Sequence, residues 1–164
     1  LKNTLHAGLW TSACVPVAGA PLFWWWQLID EENFYPLFKH FSSFMEGIDR
    51  RDPDMSLMNA ALTGVDLTAN PVDSVVMGNS SLMTGWIHLT KNFADSDMLD
   101  LKPVDGLTVS LDGNFSGTYK VEFWDTITGR IIGSSTCTVT NVPISFMPPP
   151  FQRDMAFKVI KKSE

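Results

Sequence analysis

The sequence predicts a mainly β protein, an antiparallel β-sandwich preceded by a helix–strand–helix segment. Up to about residue 50, apolar residues recur every three or four positions, which is typical of amphipathic helices. Beyond that point the period falls to two and turn residues recur, which is typical of short antiparallel strands. We therefore divide the chain into a helix–strand–helix segment at 1–50, a linker at 51–56 and a sandwich at 57–164.

The first half predicts two elements before its polar loop. Residues 3–15 predict a helix, because Leu5, Leu9 and Trp10 share one face. The helix is expected to end before Pro21. Residues 21–26 are almost wholly apolar, which is typical of a strand covered on both faces.

A polar loop and a second helix complete this half. Residues 29–33 predict the loop, with Asn33 as a candidate N-cap. From Phe34 the apolar positions repeat at spacings of three and four, which predicts an amphipathic helix ending near residues 47–49.

The second half predicts a series of short strands. In residues 118–123, Tyr119, Val121 and Phe123 point to one face, while Lys120 and Glu122 point to the other. The turn at 125–129 closes a hairpin, and the three prolines at 148–150 indicate an edge or a crossing loop. The predicted strands are 60–67, 74–78, 82–90, 107–111, 118–126, 131–140, 142–146 and 154–160.

Composition narrows the class of protein. Hydrophobic residues make up 45% of the 164 residues and charged residues 18%, which favours a packed core over disorder. The formal net charge of −6 argues against a nucleic-acid partner. Cys14 and Cys137 do not form a disulfide framework, and we interpret both as small buried hydrophobic residues.

Two sets of motifs resemble a known group of proteins. The first set is His6-x-Gly8-Leu9-Trp10, the run from Gly19 to Trp26 and Asn33-Phe34-Tyr35-Pro36. It resembles the end of the (β/α)8 barrel in bacterial glycoside hydrolase-like proteins of the cellulase or mannanase type, related to family 5. The second set is Gly117 to Gly129 and Pro148 to Lys158. It is similar to the C-terminal sandwich of the same proteins, which often carries a collagen-binding label.

The resemblance implies that the chain is the last part of such a protein. Residues 1–50 would then be the seventh helix, eighth strand and eighth helix of the barrel. In barrel glycosidases the two catalytic carboxylates follow the fourth and seventh strands, so the catalytic pair would lie outside this chain. We expect no catalytic residue, no metal and no cofactor here. We expect the barrel-end segment to self-associate or to pack on the missing barrel.

Aromatic residues are the candidates for contact with a glycan. Trp24, Trp25 and Trp26 could offer an indole face to a sugar ring, or they could be core residues of the strand. On the sandwich, Trp124 shares a face with Lys120 and Glu122, which suggests partial exposure. We favour packing under a loop or against the barrel, because surfaces that join domains in such proteins are apolar.

The histidines and acidic residues give weaker signals. His6 matches a position near the barrel mouth in the resembling proteins and is a candidate for a substrate hydrogen bond, with a core histidine as the alternative. His40 and His88 are too far apart in sequence for a metal motif. Residues 30–32 invite an acid–base interpretation, but a solvated loop before a helix explains these three acids more simply.

Three other interpretations stay open at this point. The chain could be a free-standing carbohydrate- or matrix-binding module, or part of a glycosidase completed by a separate barrel chain. Residues 7–29 carry no charge and are long enough for a membrane span, but their prolines and glycines favour a broken segment, and we expect no span. The resemblance implies a secreted or periplasmic protein.

Overall fold

A computed structural model describes residues 1–20, 26–69, 71–90 and 102–163, and its mainly β class confirms the predicted one. Three helices precede seven antiparallel strands in this part of the chain. The helices are α1 (Lys2–Ala13), α2 (Trp26–Glu31) and α3 (Tyr35–Met45). The strands are β1 (Ser56–Met58), β2 (Ala60–Thr63), β3 (Val72–Gly78), β4 (Leu82–Leu89), β5 (Thr108–Asp125), β6 (Arg130–Phe146) and β7 (Asp154–Lys161).

The strands form one hydrogen-bonded sheet that curls around its own core. Its order is β1-β3-β4-β7-β5-β2, and β6 pairs with β5 outside this path. The first residues of β5, 108–111, pair with β2, whereas residues 119–124 pair with β7. Register shifts between these two parts allow the long strand to bend. The two layers of the predicted sandwich are therefore parts of a single curled sheet.

The main core lies inside the curl. Alternate residues of β5 point inward along its length, and Val109, Leu111, Tyr119 and Val121 are all fully buried. This is the face that the period-two pattern assigns to Tyr119, Val121 and Phe123. Part of the outward face of the sheet is buried too, at Trp86, Trp124 and Ala156, because the helices cover it there.

A second apolar cluster joins the helices to the outer face of the sheet. Trp10, Ala13 and Cys14 come from α1 and the residue after it, and Phe44 comes from α3. They pack on the sheet residues Trp86, Trp124 and Ala156. With both faces covered, six consecutive residues of β7, 154–159, are buried.

The helical half differs from prediction around α2. The prediction of a loop at 29–33 is wrong in part, because α2 continues to Glu31. Trp26, predicted as the last strand residue, is instead the first residue of α2, and residues 21–25 lie outside the described part of the chain. Phe34 takes the N-cap position of α3, while Asn33 adopts a left-handed conformation with φ of 49°.

The strands differ from prediction mainly because two pairs of predicted short strands are each one long strand. The predicted strands 107–111 and 118–126 belong to the 18-residue β5, and 131–140 and 142–146 belong to the 17-residue β6. Bulges carry pairing across the polar residues that had indicated separate strands. The predicted linker 51–56 lies between α3 and β1, and β1 begins at its last residue.

The longest helix described is α1, with 12 residues. Crossing the apolar part of a bilayer takes about 20 residues, so none of the helices described here reaches across a membrane.

We expect Gly85→Ala to destabilise the sheet. Gly85 of β4 lies opposite Phe157 of β7, and a Cβ atom at residue 85 would lie 2.1 Å from Cζ of that buried ring. Overpacking of this kind lowers the free energy of unfolding by about 1–3 kcal/mol. Urea denaturation followed by tryptophan fluorescence measures the change.

The matched control is Gly133→Ala. The same methyl group at residue 133 would lie 3.6 Å from Cδ2 of Phe123, which is an ordinary contact. The control should keep wild-type stability. Equal losses in the two variants would contradict this account of the core.

Candidate functional site

The carboxylate of Asp154 is the meeting point of four structural elements. Asp154 opens β7 on the outer face of the sheet, and its side chain is 1% exposed. Its Oδ2 atom lies 2.6 Å from His6 Nε2 and accepts a hydrogen bond of 2.9 Å from Trp86 Nε1. Its Oδ1 atom accepts from Thr126 Oγ1 at 2.9 Å and from Arg153 Nε at 3.2 Å. A single buried carboxylate thereby ties α1 to the sheet.

These partners keep the Asp154 carboxylate ionised. Burial raises the pKa of Asp154, but the hydrogen bond and charge of His6, the charge of Arg153 and the hydrogen bond of Trp86 together outweigh burial. The net pKa lies below the ordinary value of 3.8. A buried charge is tolerated when it is both paired and hydrogen-bonded, and Asp154 meets both conditions.

His6 is positioned by the buried face of α1. Leu5, His6, Leu9 and Trp10 are each 1% exposed or less, as expected for neighbours at helical spacing. The helix is also fixed at its end, where Thr84 Oγ1 of β4 donates to the carbonyl of Ala13 at 3.2 Å. Asn3 adds a contact at the other end, since its Oδ1 accepts from Arg153 Nη1 at 3.3 Å.

A buried lysine fixes α3 on the same face. Lys158 Nζ lies 5.0 Å from the centre of the Trp124 ring and 5.2 Å from that of Phe44, within cation–π range. It also donates to the carbonyl of Glu46, at the C-terminal end of α3, where a positive charge is favourable. Burial lowers the pKa of Lys158, and the charges of Glu122 and Glu46 oppose this shift.

Two cavities open beside this network and share Ile127 and Arg153. One, of about 270 Å³, lies between the first residues of α1, the start of α3 and the hairpin turn; His6 and His40 line it. The other, of about 450 Å³, is lined by Trp124, Phe151 and Gln152 among others. The side chains that line the two cavities, both polar and apolar, lie at one end of the interface between helices and sheet.

A separate exposed group lies on α2 and the start of α3. Trp26 is 67% exposed and Tyr35 is 54% exposed. Trp26 and Asp30 are one helical turn apart on the same side of α2. Tyr35 Oη donates to Asp30 Oδ1 at 3.0 Å, and this hydrogen bond raises the pKa of Tyr35. The result is two accessible aromatic rings beside one carboxylate.

The structure brings together two of the five predicted glycan contacts. His6 and Trp124 both lie in the helix–sheet interface. Trp26 lies on α2, and Trp24 and Trp25 lie outside the described residues. Trp124 is 9% exposed, because α3 covers it: the Phe44 ring lies edge-on at 5.5 Å. Sugar contact by these residues stays a prediction.

Several residues that hold the interface together do not stand out in the sequence. Asp154, Thr126 and Lys158 were not singled out, although Asp154 and Lys158 belong to the second motif of the resemblance. A polar residue on the outward side of a strand normally indicates solvent. One available signal was the run from Met155 to Val159, which is too apolar for a half-exposed strand with only Lys158 interrupting it.

The described residues provide no activated cysteine nucleophile and no metal-binding group. Burial raises the pKa of the Cys14 thiol to about 12, so the thiol is protonated at neutral pH. Cys14 and Cys137 are both free thiols, the first buried and the second partly buried. Within the described ranges, no three His, Cys, Asp or Glu side chains are grouped so that they could hold a metal ion.

Comparison with known proteins gives a weak structural likeness. No family model matches the sequence. No curated protein matches it either. Among solved structures, the chain is similar to one described as a glycoside hydrolase, with 12% sequence identity and a TM-score of 0.49. The match covers 90% of this chain and 30% of that one, so this chain spans less than a third of the length of that structure.

We expect Asp154→Asn to weaken the attachment of α1 to the sheet. An amide cannot accept all the hydrogen bonds that the carboxylate accepts, and it leaves Arg153 without its ionic partner at residue 154. The free energy of unfolding at pH 7 should fall by about 3–5 kcal/mol. Chemical denaturation at a series of pH values measures it.

The stabilisation that Asp154 provides should decrease as the pH falls. Because the folded pKa of Asp154 lies below 3.8, its stabilisation is complete well above that pH and is lost as the pH falls below it. The difference between wild type and variant should therefore shrink in acid. Asp49→Asn is the control, since the exposed Asp49 also has a lowered pKa, of about 2, through its pairing with Arg51. A large loss at Asp49, or none at Asp154, would contradict the assignment.

Proposed function

We propose that this chain is the accessory C-terminal part of a glycoside hydrolase-like protein, in which the β-sheet holds the helical barrel end in place. The observation that carries the proposal is the contact between the two motif sets. His6 and Trp10 belong to the first set, and Trp124 and Asp154 belong to the second. The His6–Asp154 pair and the apolar cluster around Trp10 and Trp124 join them.

The state of the buried carboxylates supports an accessory role. A glycosidase needs two carboxyl groups on either side of an accessible glycosidic bond. In the described part of the chain, the buried acids are Glu122 and Asp154. Glu122 pairs with Lys120 at 2.8 Å and accepts from Trp124 Nε1 at 3.3 Å, and Asp154 has the four partners described above. Asp154 links α1 to the sheet, whereas the hydrogen-bond partners of Glu122 lie on its own strand β5.

An assay of turnover tests the proposal. The purified 164-residue chain is incubated with aryl glycosides and with soluble β-glucan and mannan, and released product is measured. We expect no product above that of a heat-denatured sample. Asp30→Asn and Glu32→Gln are prepared in parallel, because these acids are exposed. Turnover that either substitution abolishes would overturn the proposal.

A second candidate function is carbohydrate binding by the chain itself. The exposed rings of Trp26 and Tyr35 beside Asp30 favour it. Aromatic faces stack on the C–H groups of a sugar ring, and a carboxylate accepts hydrogen bonds from sugar hydroxyls. This group lies apart from the buried interface, so the chain could bind glycan while keeping its structural role.

We expect Trp26→Ala to weaken binding to an insoluble polysaccharide by about tenfold, because one stacking surface worth about 1.4 kcal/mol is lost. Depletion of the protein from solution by washed cellulose or mannan measures the affinity. Leu57→Ala is the control, since Leu57 is 60% exposed and lies on β1. Binding that is absent in the wild type, or equal in both variants, would remove this second function.

A further inference from the structure

The strand β6 leaves one long edge without a strand partner in the described part of the chain. It runs for 17 residues, and all of its described ladder pairs are with β5. No residue between 133 and 140 is buried. An exposed strand edge presents a row of backbone donors and acceptors that can pair with another strand.

The exposed edge of β6 lacks the residues that usually prevent a strand edge from pairing with another strand. The window 133–140, which we call the β6 window, reads Gly-Ser-Ser-Thr-Cys-Thr-Val-Thr and contains no charge and no proline. Bulges bound it, because Ile132 and Asn141 have no partner in the register with β5. Natural sheets shield open edges with charged residues, proline or bulges, and here such features lie only outside the window. The window is thus a regularly paired segment of about 27 Å with no charged side chain of its own. The one charge that an identified hydrogen bond brings to it is that of Lys162, whose Nζ lies 3.4 Å from Thr136 Oγ1.

The side chains of the window suit a second copy of the same strand. Cys137 and Val139 pack against the main core but stay partly exposed at the edge of the sheet. A neighbouring copy would cover them with its own Cys137 and Val139. The charge of the chain is −6, so two copies repel in general, yet no acid lies in the window to oppose their contact. Arg130, the charged residue of β6, lies at one end, so antiparallel pairing keeps the two arginines apart.

We propose that the β6 window pairs antiparallel with the same window of a second copy, forming a two-fold dimer with a continuous sheet. Antiparallel pairing about a two-fold axis is self-complementary, because each outward N–H of one copy meets an outward carbonyl of the other. The contact leaves both the helix–sheet interface and the exposed group around Trp26 uncovered by strand pairing.

The oligomeric state of the full 164-residue chain tests the proposal. Light scattering across a dilution series should give twice the monomer mass of 18.3 kDa at high concentration. Thr136→Lys puts a charge at the centre of the window in both copies and should weaken association at least tenfold. Thr128→Lys adds the same charge in the exposed hairpin turn and should leave the dimer intact. Circular dichroism and thermal unfolding check that both variants fold.

Two further readouts locate the contact. Hydrogen exchange should slow at the amides of 133–140 in the dimer and speed up on dilution or in Thr136→Lys. A short bismaleimide should join two copies through Cys137, and Cys137→Ser should abolish the cross-link, since Cys14 is buried. A wild-type monomer at every concentration would overturn the proposal. So would a dimer that persists in Thr136→Lys, because another surface would then hold it.

Discussion

The rest of the structure depends on the burial of the Asp154 carboxylate between α1 and the sheet. A charge in this position is stable only when its partners surround it, and each partner comes from a different element: His6 from α1, Trp86 from β4 and Thr126 from the hairpin turn. The network therefore specifies how the helices sit on the sheet. The apolar contacts of Trp10 and Phe44 also hold the helices on the sheet, but they are less directional.

Where the outer face of the sheet is covered, its polar residues are buried and form hydrogen bonds with other protein groups. Glu122 and Lys158 occupy positions that would face water in an isolated sheet, and here both are buried, with Lys158 bonded to the end of α3. Both find partners in the interface, Glu122 in Lys120 and Trp124, and Lys158 in the end of α3. The same face is thus adapted to hold helices. This supports the structural role that we proposed for the sheet.

Much of the fold could be predicted from periodicity, and the site could be predicted only in part. The inward set Tyr119, Val121 and Phe123 follows directly from alternation, and the shared face of Leu5, Leu9 and Trp10 follows from helical spacing. The continuity of β5 and β6 did not follow, because bulges carry strands across residues such as Asn141 that normally indicate a turn. His6 and Trp124 were singled out, but as candidates for sugar contact, and their common position in one interface is a long-range property.

The sequence by itself determined the mainly β class, the order of helices before strands and the inward face of the strands, because these depend on local spacing and on side-chain polarity. Only the tertiary structure decided that His6 meets Asp154, 148 positions away, and that part of the outward face is buried beneath the helices. The sequence pattern shows which face of an element is apolar. It does not show whether a polar residue forms its hydrogen bonds with water or with a buried partner. That distinction depends on which element covers the face, and packing alone sets it.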